Sequence, residues 1–246
     1  MKCIEIHGNK MFLNSEDILS DLILSNSFEP LETEVITSMI KSGNVVLDIG
    51  ANIGYYTLIF ARLVGREGKV FAFEPDPANF RLLEMNVKAN GFDNVVLVQK
   101  AVSDMTGKCS LYLCESNKGM HRIYRSRYCK RSIEIESIRL DDLFVHSCDR
   151  IDFVKIDAEG SEWAVFQGMP LLLKRCEHLT MMTEFAPYAI KEFGLEPLEY
   201  LSLLEDLGFQ LYQLDYDGMR IKLADIAALL RMNMDREDIT NLLCIR

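Results

Sequence analysis

The segment that most constrains the fold reads as a strand, a glycine turn, a helix and a second strand. Val45–Ile49 is a short apolar run between turn residues, as expected of a strand covered on both faces. Gly50 and Gly54 bracket a turn in which the backbone must come close to another group. Apolar residues at helical spacing follow over 56–63, and residues 70–73 form a second buried strand.

An acidic residue ends this unit. Glu74 stands at the carboxyl end of the second strand, 20 residues after Gly54. Ligands of open parallel α/β sheets bind outside the carboxyl ends of the strands. An acid at about this distance from the glycines is placed to accept hydrogen bonds from ribose hydroxyls. The segment therefore predicts a site for a nucleoside cofactor.

The turn argues against a dinucleotide. Dinucleotide sites need G-x-G-x-x-G, whereas this turn reads DIGANIG over 48–54, and the chain has no G-x-x-x-x-G-K-[ST] phosphate loop. Asp48 at the strand end suits a cation better than a phosphate. S-Adenosylmethionine (SAM) carries an ammonium and a sulfonium and no phosphate, and the turn resembles motif I of class I SAM-dependent methyltransferases. A glycine turn in another kind of α/β enzyme is the alternative.

Charge and hydropathy exclude several classes of protein. The 246 residues carry a net charge of −10, which disfavours bulk attraction to nucleic acid or anionic membranes. The N-terminal residues, MKCIEIHGNKMFLNSED, lack the apolar stretch of a signal peptide, and no segment is apolar enough to span a membrane.

The seven cysteines form no C-x-x-C pair, so no disulfide framework or zinc site is expected. We expect a cytoplasmic protein that binds no nucleic acid; its oligomeric state stays open.

Strands and helices alternate along the chain, which predicts a largely parallel sheet with helices on both faces. No repeat or low-complexity linker interrupts the pattern. We expect an extension over residues 1–28, with a hairpin around Gly8-Asn9 and a helix capped by Ser15, and then one domain over 29–246. Strands are predicted at 45–49, 69–74, 95–100, 109–114, 133–138, 151–156, 179–184, 209–214 and 242–245, and helices at 15–24, 29–40, 54–64, 77–89, 161–167, near 171, 197–207 and 223–232.

Several further motifs occur in a fixed order. They are Glu29-Pro30 with Glu32-Thr33, VLDIGANIGYYTL over 46–58, FEPDPANF over 73–80, a polar segment with Asn117, Gly119 and His121, LDDL over 140–143, KIDAEGSE over 155–162, TEF over 183–185 and LGF over 207–209. KIDAEGSE and GANIGYYTL together are a specific pair. Over residues 29–246 the chain resembles the FkbM family of SAM-dependent methyltransferases.

The resemblance implies the Rossmann-like fold of class I methyltransferases. This is an α/β fold with a mostly parallel seven-stranded sheet, helices on both faces and one antiparallel strand near the C-terminal edge. The predicted strands 209–214 and 241–245 can form the antiparallel pair. The implied activity is methyl transfer from SAM, most often to a hydroxyl of a small molecule, sugar or glycolipid. The alternatives are an RNA or protein methyltransferase and a non-catalytic SAM-binding protein.

Family motif positions imply a set of cofactor contacts. Asp48 is expected to face the methionine ammonium, Gly50 to let the backbone approach the cofactor, and Glu74 to accept both ribose hydroxyls. Asp76 is expected near the adenine side. The other expected cofactor contacts are Asn52, Gly54, Tyr55, Pro75, Ala101, Val102 and Asp157.

The candidate catalytic groups are acids at the ends of later strands and one loop histidine. A hydroxyl acceptor benefits from a base within hydrogen-bond reach, and the candidates are Asp157, Glu159, Glu184 and His121. Histidine ordinarily titrates near neutral pH, which suits a base. Three converging carboxylates would suit magnesium, but the sequence does not establish their convergence, and we predict no metal site.

The segment 117–132, NKGMHRIYRSRYCKRS, concentrates basic side chains on an acidic chain. We expect a basic loop insertion at about 115–132 that covers the cleft and attracts an anionic acceptor, with Tyr124 and Tyr128 stacking on a ring. A solvated surface loop is the alternative. The basic residues are Lys118, Arg122, Arg125, Arg127, Lys130 and Arg131.

Overall fold

The computed structural model describes residues 1–14, 18–114, 117, 119–127, 129, 131–145, 150–232 and 238–246. Some of the predictions fall outside these residues. They concern the helix cap at Ser15, the basic-segment residues Lys118, Tyr128 and Lys130, and Cys148. The other six cysteines are free thiols.

Strands and helices alternate in the described chain, as predicted. The strands are β1 (Lys2–Ile6), β2 (Asn9–Leu13), β3 (Val45–Ile49), β4 (Lys69–Phe73), β5 (Val95–Val98), β6 (Ala101–Val102), β7 (Gly107–Leu113), β8 (Arg131–Ile138), β9 (Phe153–Ile156), β10 (Thr180–Phe185), β11 (Gln210–Asp215), β12 (Arg220–Leu223) and β13 (Thr240–Ile245). The helices are α1 (Ile18–Leu24), α2 (Pro30–Met39), α3 (Tyr55–Val64), α4 (Pro77–Ala89), α5 (Leu140–Leu143), α6 (Glu162–Gln167), α7 (Pro170–Arg175), α8 (Pro187–Phe193), α9 (Pro197–Asp206) and α10 (Ile226–Leu229).

The main sheet of the described chain has eight strands in the order β12-β11-β13-β10-β9-β3-β4-β5. From β10 to β5 all neighbouring strands are parallel. β13 is antiparallel to both β10 and β11, which confirms the predicted antiparallel pair. The chain runs from β3 outward to β5 and then returns to β9 on the other side of β3. Ligands bind at such a switch point in parallel α/β sheets.

One strand of the main sheet was not predicted. Residues 220–223 form the edge strand β12, antiparallel to β11, whereas we predicted a helix over 223–232. That helix is shorter, because α10 begins after Asp225, whose carboxylate accepts the N–H of Ala228. All four residues of β12 are exposed. The strand therefore lacks the alternating burial by which a sequence reveals a strand.

Neighbouring residues of the central strand point to opposite faces of the sheet, and helices cover both. Val46 packs with residues of α1, α2, α3 and α4. Leu47 packs with residues of α6, α7 and α9 on the other face. The prediction of helices on both faces is confirmed, and the carboxyl edge of the sheet is left for the site.

A smaller sheet, β6-β8-β7, lies beside the main one. In β8, Ile135 is buried between the exposed Glu134 and Glu136, which is the alternation predicted for this strand. The β7–β8 pairing runs from Gly107↔Ser137 to Leu113↔Arg131. The basic segment is therefore the connection at the end of this hairpin.

The N-terminal hairpin is docked on α4. Its turn is His7-Gly8, one residue earlier than predicted, with φ angles of 48° and 72°; positive φ at both positions is typical of a type I′ turn. The buried Asn86 of α4 donates to the carbonyls of Ile53 at 2.8 Å and Phe12 at 3.2 Å. Its Oδ1 accepts the N–H of Phe12 at 2.7 Å. Asn86 thereby ties the hairpin to the turn after β3.

Replacing Asn86 with alanine is expected to lower the free energy of unfolding by about 2–4 kcal/mol, because each buried backbone group that loses its partner costs about 1–3 kcal/mol. Denaturant titration measures the change. Lys88→Ala, at an exposed position of the same helix, is the control and should stay within about 0.5 kcal/mol of wild type. Equal midpoints for Asn86→Ala and wild type would contradict this role.

Candidate active site

Gly50 is the point where β3, β4 and β9 come together. Its N–H and that of Ala51 both donate to the carbonyl of Phe73, at 3.0 and 2.9 Å, and the N–H of Asp157 donates to the carbonyl of Ile49 at 3.0 Å. The φ of Gly50 is +80°, and a Cβ added to it would lie 1.9 Å from the carbonyl oxygen of Asp157. Only glycine fits this position.

A cleft of about 610 Å³, its open mouth included, lies on one side of Gly50. We call it the first cleft. It combines apolar surface from the main sheet and the smaller sheet with one buried carboxyl group. Its described lining is Ile49, Gly50, Asn52, Phe73, Glu74, Pro75, Asn79, Lys100, Ala101, Val102, Leu111, Gly119, His121, Ile123, Asp157, Ala158, Glu159 and Ser161.

Glu74 is the buried carboxyl of the first cleft. Its two oxygens accept backbone N–H groups from Asn52 at 2.9 Å and from Asp76 at 2.8 Å. Burial raises the pKa of Glu74 to about 8, although these hydrogen bonds favour the ionised form. Asn52 has a φ of 50°, and this left-handed turn directs its N–H to the carboxylate. The local backbone therefore fixes the position of the Glu74 carboxyl group.

A second cleft, of about 730 Å³, opens on the other side of Gly50. Its wall from α1 and Phe28 is apolar, and its floor carries several ionisable groups. Its described lining is Ile18, Leu19, Leu22, Phe28, Glu29, Asp48, Gly50, Ala51, Asn52, Ile53, Tyr55, Tyr56, Asn117, Gly119, Lys155, Asp157, Glu159 and Glu184.

Lys155 is the buried cation of the second cleft. Its Nζ donates to Oδ2 of Asp157 at 2.9 Å and lies 4.8 Å from the ring centroid of Tyr56. Burial by itself would lower the pKa of Lys155, but the carboxylates of Asp157, Glu29 and Asp48 hold it above its usual value. Lys155 therefore stays charged and offsets part of the negative charge around it.

Two carboxyl groups lie close to this cation. Asp48 accepts a hydrogen bond from the hydroxyl of Thr57, and burial raises its pKa to about 6. Glu29 accepts a hydrogen bond from the hydroxyl of Tyr56 at 2.6 Å, and burial raises its pKa to about 7. In both cases Lys155 lowers the pKa and limits the rise.

A further acidic group lies where β9 and β10 end. Oε1 of Glu162 accepts the N–H groups of Ala158 at 2.9 Å and Gly160 at 3.2 Å. Burial raises the pKa of Glu162 to about 7. Burial, with the neighbouring carboxylates, raises the pKa values of Glu159 and Glu184 well above the usual range. These groups hold protons more tightly than ordinary carboxyl groups.

The structure brings most predicted cofactor residues to the two clefts. Gly50, Asn52, Glu74, Pro75, Ala101, Val102 and Asp157 line the first, and Asp48 and Tyr55 line the second.

Two predicted contacts lie outside the described lining. Asp76 caps α4 instead, accepting the N–H groups of Ala78 and Asn79, both at 2.8 Å. Gly54, with a φ of +95°, begins α3, and a Cβ there would lie 2.7 Å from Leu83. Both residues therefore serve the local backbone, since each stands at the start of a helix.

The predicted catalytic residues separate between the two clefts. Asp157 and Glu159 line both, Glu184 lines the second, and His121 lines the first. Nδ1 of His121 accepts the N–H of Cys114 at 3.1 Å. Among the described residues, no cluster of three or more His, Cys, Asp or Glu side chains has the arrangement of a metal site.

The basic segment is arranged differently from the prediction. Arg122 is buried and donates to Glu192 at 2.9 Å and to the hydroxyl of Tyr188 at 3.2 Å. The Tyr124 hydroxyl donates to the carbonyl of Glu159 at 2.8 Å, and its ring packs edge-on against Phe193. Arg122 and Tyr124 thus attach the segment to α8, because α8 supplies buried partners that the sequence pattern does not reveal.

Sequence reasoning gave no role to two residues of the second cleft. Lys155 stands two positions before Asp157, so both lie on the same side of the strand; that spacing was an available signal. Glu29 was part of a quoted motif, but its approach to Lys155 depends on the packing of α2 against α3.

Comparison with known proteins identifies the family. Residues 48–211 match the model of the Methyltransferase FkbM domain, and the chain belongs to this family of SAM-dependent methyltransferases, as its motifs predicted. The protein Methyltransferase sdnD of Sordaria araneosa is 25% identical over 203 residues, which cover 70% of this chain and 76% of that protein. Protein-L-isoaspartate O-methyltransferase 1 of Archaeoglobus fulgidus is 34% identical over 59 residues, 24% of this chain and 27% of that protein.

Solved structures show the same fold. A predicted methyltransferase from Streptococcus mutans, crystallised with S-adenosylhomocysteine (SAH), aligns with a TM-score of 0.52 at 11% identity, over 87% of this chain and 95% of that chain. Methyltransferase FkbM from Methylobacillus flagellatus aligns with a TM-score of 0.50 at 15% identity, over 92% of this chain and 52% of that chain. The predicted class I fold is confirmed. No helix in the described ranges is long and apolar enough to cross a membrane.

The raised pKa values predict how stability depends on pH. Glu162 binds its proton more tightly in the folded chain (about 7) than in the unfolded chain (4.5). Its contribution to stability is therefore full below about pH 4.5 and is lost as pH rises through 7. Asp48, Glu29 and Glu74 act in the same direction. We expect the Tm of the ligand-free protein to fall from pH 5 to pH 8.5.

Glu162→Gln is expected to reduce this fall, recovering about 1–3 kcal/mol at pH 8, because glutamine keeps the accepting oxygen and does not titrate. Thermal unfolding over the pH series measures it. The exposed Glu177→Gln is the control and should keep the wild-type slope. Identical slopes for wild type and Glu162→Gln would contradict the assignment.

Proposed function

We propose that the protein transfers the SAM methyl group to a hydroxyl oxygen of a small molecule, sugar or glycolipid. The observation that supports this most is the meeting of the two clefts at Gly50. The first cleft holds the ribose-binding candidate Glu74, and the second holds carboxyl groups that can accept a proton. The clefts share Gly50, Asn52, Gly119, Asp157 and Glu159.

The first cleft fits the adenosine part of SAM. A carboxylate offers about four lone-pair sites, and the backbone N–H groups of Asn52 and Asp76 take two of those on Glu74. The remaining sites suit two ribose hydroxyls. Ala101 and Val102, with the other apolar lining, offer a surface for adenine.

Bound SAM supplies an electrophilic methyl group on a sulfonium. The protein's tasks are then to hold the acceptor hydroxyl in line with that group and to take its proton. Glu184 is the base we favour, because it lines the second cleft with a raised pKa. Glu159 is the next candidate, but it lies 3.9 Å from the Arg122 guanidinium.

The other two candidates already have partners in this arrangement. Asp157 forms an ion pair with Lys155 at 2.9 Å. His121 lines the first cleft, and its Nδ1 already accepts a hydrogen bond. Both residues line the site, but neither is the base we favour.

The second cleft favours a neutral acceptor over the anionic one suggested by the basic segment. Its described ionisable lining comprises Glu29, Asp48, Asp157, Glu159, Glu184, the two tyrosines Tyr55 and Tyr56, and one cation, Lys155. An anion would be repelled by this excess of carboxyls. Sugar hydroxyls can hydrogen-bond to them, and Ile18, Leu19 and Leu22 offer contact to an apolar part.

Glu74→Ala is expected to weaken SAH binding about 5- to 150-fold at neutral pH, because each of two ribose hydroxyls loses a hydrogen bond worth about 0.5–1.5 kcal/mol. Calorimetric titration measures the Kd. Glu84→Ala, at an exposed position on α4, is the control and should bind SAH like wild type.

The titration also separates the alternatives. Unchanged SAH binding in Glu74→Ala would overturn the ribose assignment, and no binding to folded, ligand-free wild type would overturn the proposal. Tight SAH binding without turnover of any acceptor would favour a non-catalytic role. RNA binding that falls steeply with salt would favour an RNA acceptor.

Glu184→Gln is expected to lower kcat about 100- to 10,000-fold with an acceptor found in a panel of hydroxylated sugars, glycolipids and small molecules. The Kd for SAH should stay within about threefold of wild type, because the substitution removes proton transfer and leaves the first cleft intact. The exposed Glu196→Gln serves as the control. A wild-type kcat in Glu184→Gln would rule this residue out as the base.

A further inference from the structure

Two free thiols meet where the basic segment leaves and rejoins the β7–β8 hairpin. We propose that Cys114 and Cys129 form a reversible disulfide, by exchange with an anionic low-molecular-weight disulfide that binds in a groove lined by arginines. Neither cysteine belongs to the described lining of the two clefts. The modification itself does not depend on the proposed function; its effect on cofactor release rests on that function.

The hairpin brings the two cysteines together. The last paired residues of β7 and β8 are Leu113 and Arg131, so Cys114 directly follows one strand and Cys129 stands just before the other. The Cys129 thiol forms a hydrogen bond with the sulfur of Cys114. A disulfide can form only where the two side chains already approach each other. This contact supplies the approach, so the bond requires no large movement of the hairpin.

The two thiols differ in their access to a reagent. Cys114 is 2% exposed, whereas Cys129 is half-buried and lines an open groove. Cys129 is therefore the thiol that an oxidant reaches first, and Cys114 completes the disulfide. Burial raises the pKa of Cys129, although the nearby Arg122 lowers it. Because the thiolate is the nucleophile, an oxidant bound beside Cys129 has an advantage over one in bulk solution.

The groove beside Cys129 is suited to an anion. We call it the arginine groove; its volume is about 1150 Å³, its open mouth included, and its described lining is Tyr112, Arg125, Ser126, Arg127, Cys129, Arg131 and Ser132. This lining holds three arginines and no carboxyl group. Arg127 pairs with Glu192 at 3.3 Å, and Arg125 and Arg131 are the other two exposed cations. The groove therefore attracts anions locally on a chain whose net charge is −10.

Oxidised glutathione is the probe with the required chemistry, because it carries a disulfide and more carboxylates than ammonium groups. The Cys129 thiolate attacks one sulfur of that disulfide, which forms a mixed disulfide and releases one glutathione. Cys114 then loses its proton, attacks the Cys129 sulfur and releases the second glutathione. Two protein thiols are thereby oxidised to one disulfide. Two electrons pass to the glutathione disulfide, and the two thiol protons end on the two released glutathione molecules.

The disulfide ties together the two ends of a segment that lines the cofactor cleft. Gly119, His121 and Ile123 lie between the two cysteines and belong to the lining of the first cleft. Joining the ends of a loop of about 15 residues removes many of the conformations that the loop can take. Oxidation should therefore raise the Tm and slow the release of a cofactor bound in the first cleft.

The first test maps the disulfide in wild type after treatment of the reduced protein with oxidised glutathione. Peptide mapping without reduction should join the peptides of Cys114 and Cys129, with the loss of two hydrogen atoms, and dithiothreitol should separate them. Cys129→Ser should abolish this bond. Cys3→Ser, at an exposed position, is the control and should form the bond like wild type.

The second test separates the arginine groove from the thiols. The double variant Arg125→Gln/Arg131→Gln should slow oxidation by oxidised glutathione about fivefold or more, and should leave the rate with uncharged bis(2-hydroxyethyl) disulfide within about twofold, because the groove attracts only the anionic reagent. The control Arg66→Gln/Lys69→Gln removes the same charge at two exposed positions near the start of β4. Both of its rates should match those of wild type.

The third test measures the consequence of the disulfide. Oxidised wild type should unfold at a Tm about 4–10 °C higher than reduced wild type. It should also release SAH about threefold or more slowly in a displacement experiment, because the segment that lines the first cleft is tied at both ends. Cys129→Ser treated in the same way should show neither change.

Each outcome decides a separate part. Absence of the Cys114–Cys129 bond in mapped wild type would overturn the disulfide site. Equal effects of the double arginine variant on both reagents would overturn the role of the groove. Equal SAH release from oxidised and reduced wild type would overturn the effect on the cofactor. Failure of both forms to bind SAH would overturn the proposed function, and a mapped bond would still establish the disulfide.

Discussion

The close approach of β3 and β9 at Gly50 is the constraint on which the site depends. A Cβ there would lie 1.9 Å from the carbonyl oxygen of Asp157, so any other residue would push the strands apart. The hydrogen bonds of Gly50 and Ala51 to Phe73 join β4 to the same point. Three strand ends are thereby held together, and the acids that follow them take fixed positions. Gly50 itself lines both clefts.

Burying several carboxyl groups around that point costs free energy, and the structure offsets part of it in two ways. Backbone N–H groups donate to Glu74 and Glu162, and the ammonium of Lys155 faces Asp48, Glu29 and Asp157. Desolvation still dominates, so the carboxyl pKa values stay raised. A cationic cofactor would relieve this excess of negative charge. Under the proposed function, the same groups that lower stability at high pH would supply affinity for SAM, a trade-off expected at functional sites.

The basic segment shows why local composition does not determine the role of a charge. Six cations in 16 residues suggested an attraction for anions. In the fold, Arg122 is buried against Glu192 and Tyr188. The exposed Arg127 also forms an ion pair with Glu192, at 3.3 Å. These partners belong to α8, more than 50 residues later. Arg122 therefore anchors the segment to α8, while Gly119, His121 and Ile123 of the same segment line the first cleft.

The sequence by itself determined the alternation of strands and helices, the antiparallel pair near the C-terminus, the family and the acid at Glu74. These follow from periodicity and from turns with strict backbone demands, such as the one at Gly50, which are local properties of the chain. Tertiary structure decided the edge strand β12, the anchoring of Arg122 and the meeting of Glu29 with Lys155. Each of these depends on contacts between distant segments or on an exposed strand without a burial pattern. Neither feature can be recognised from the local sequence.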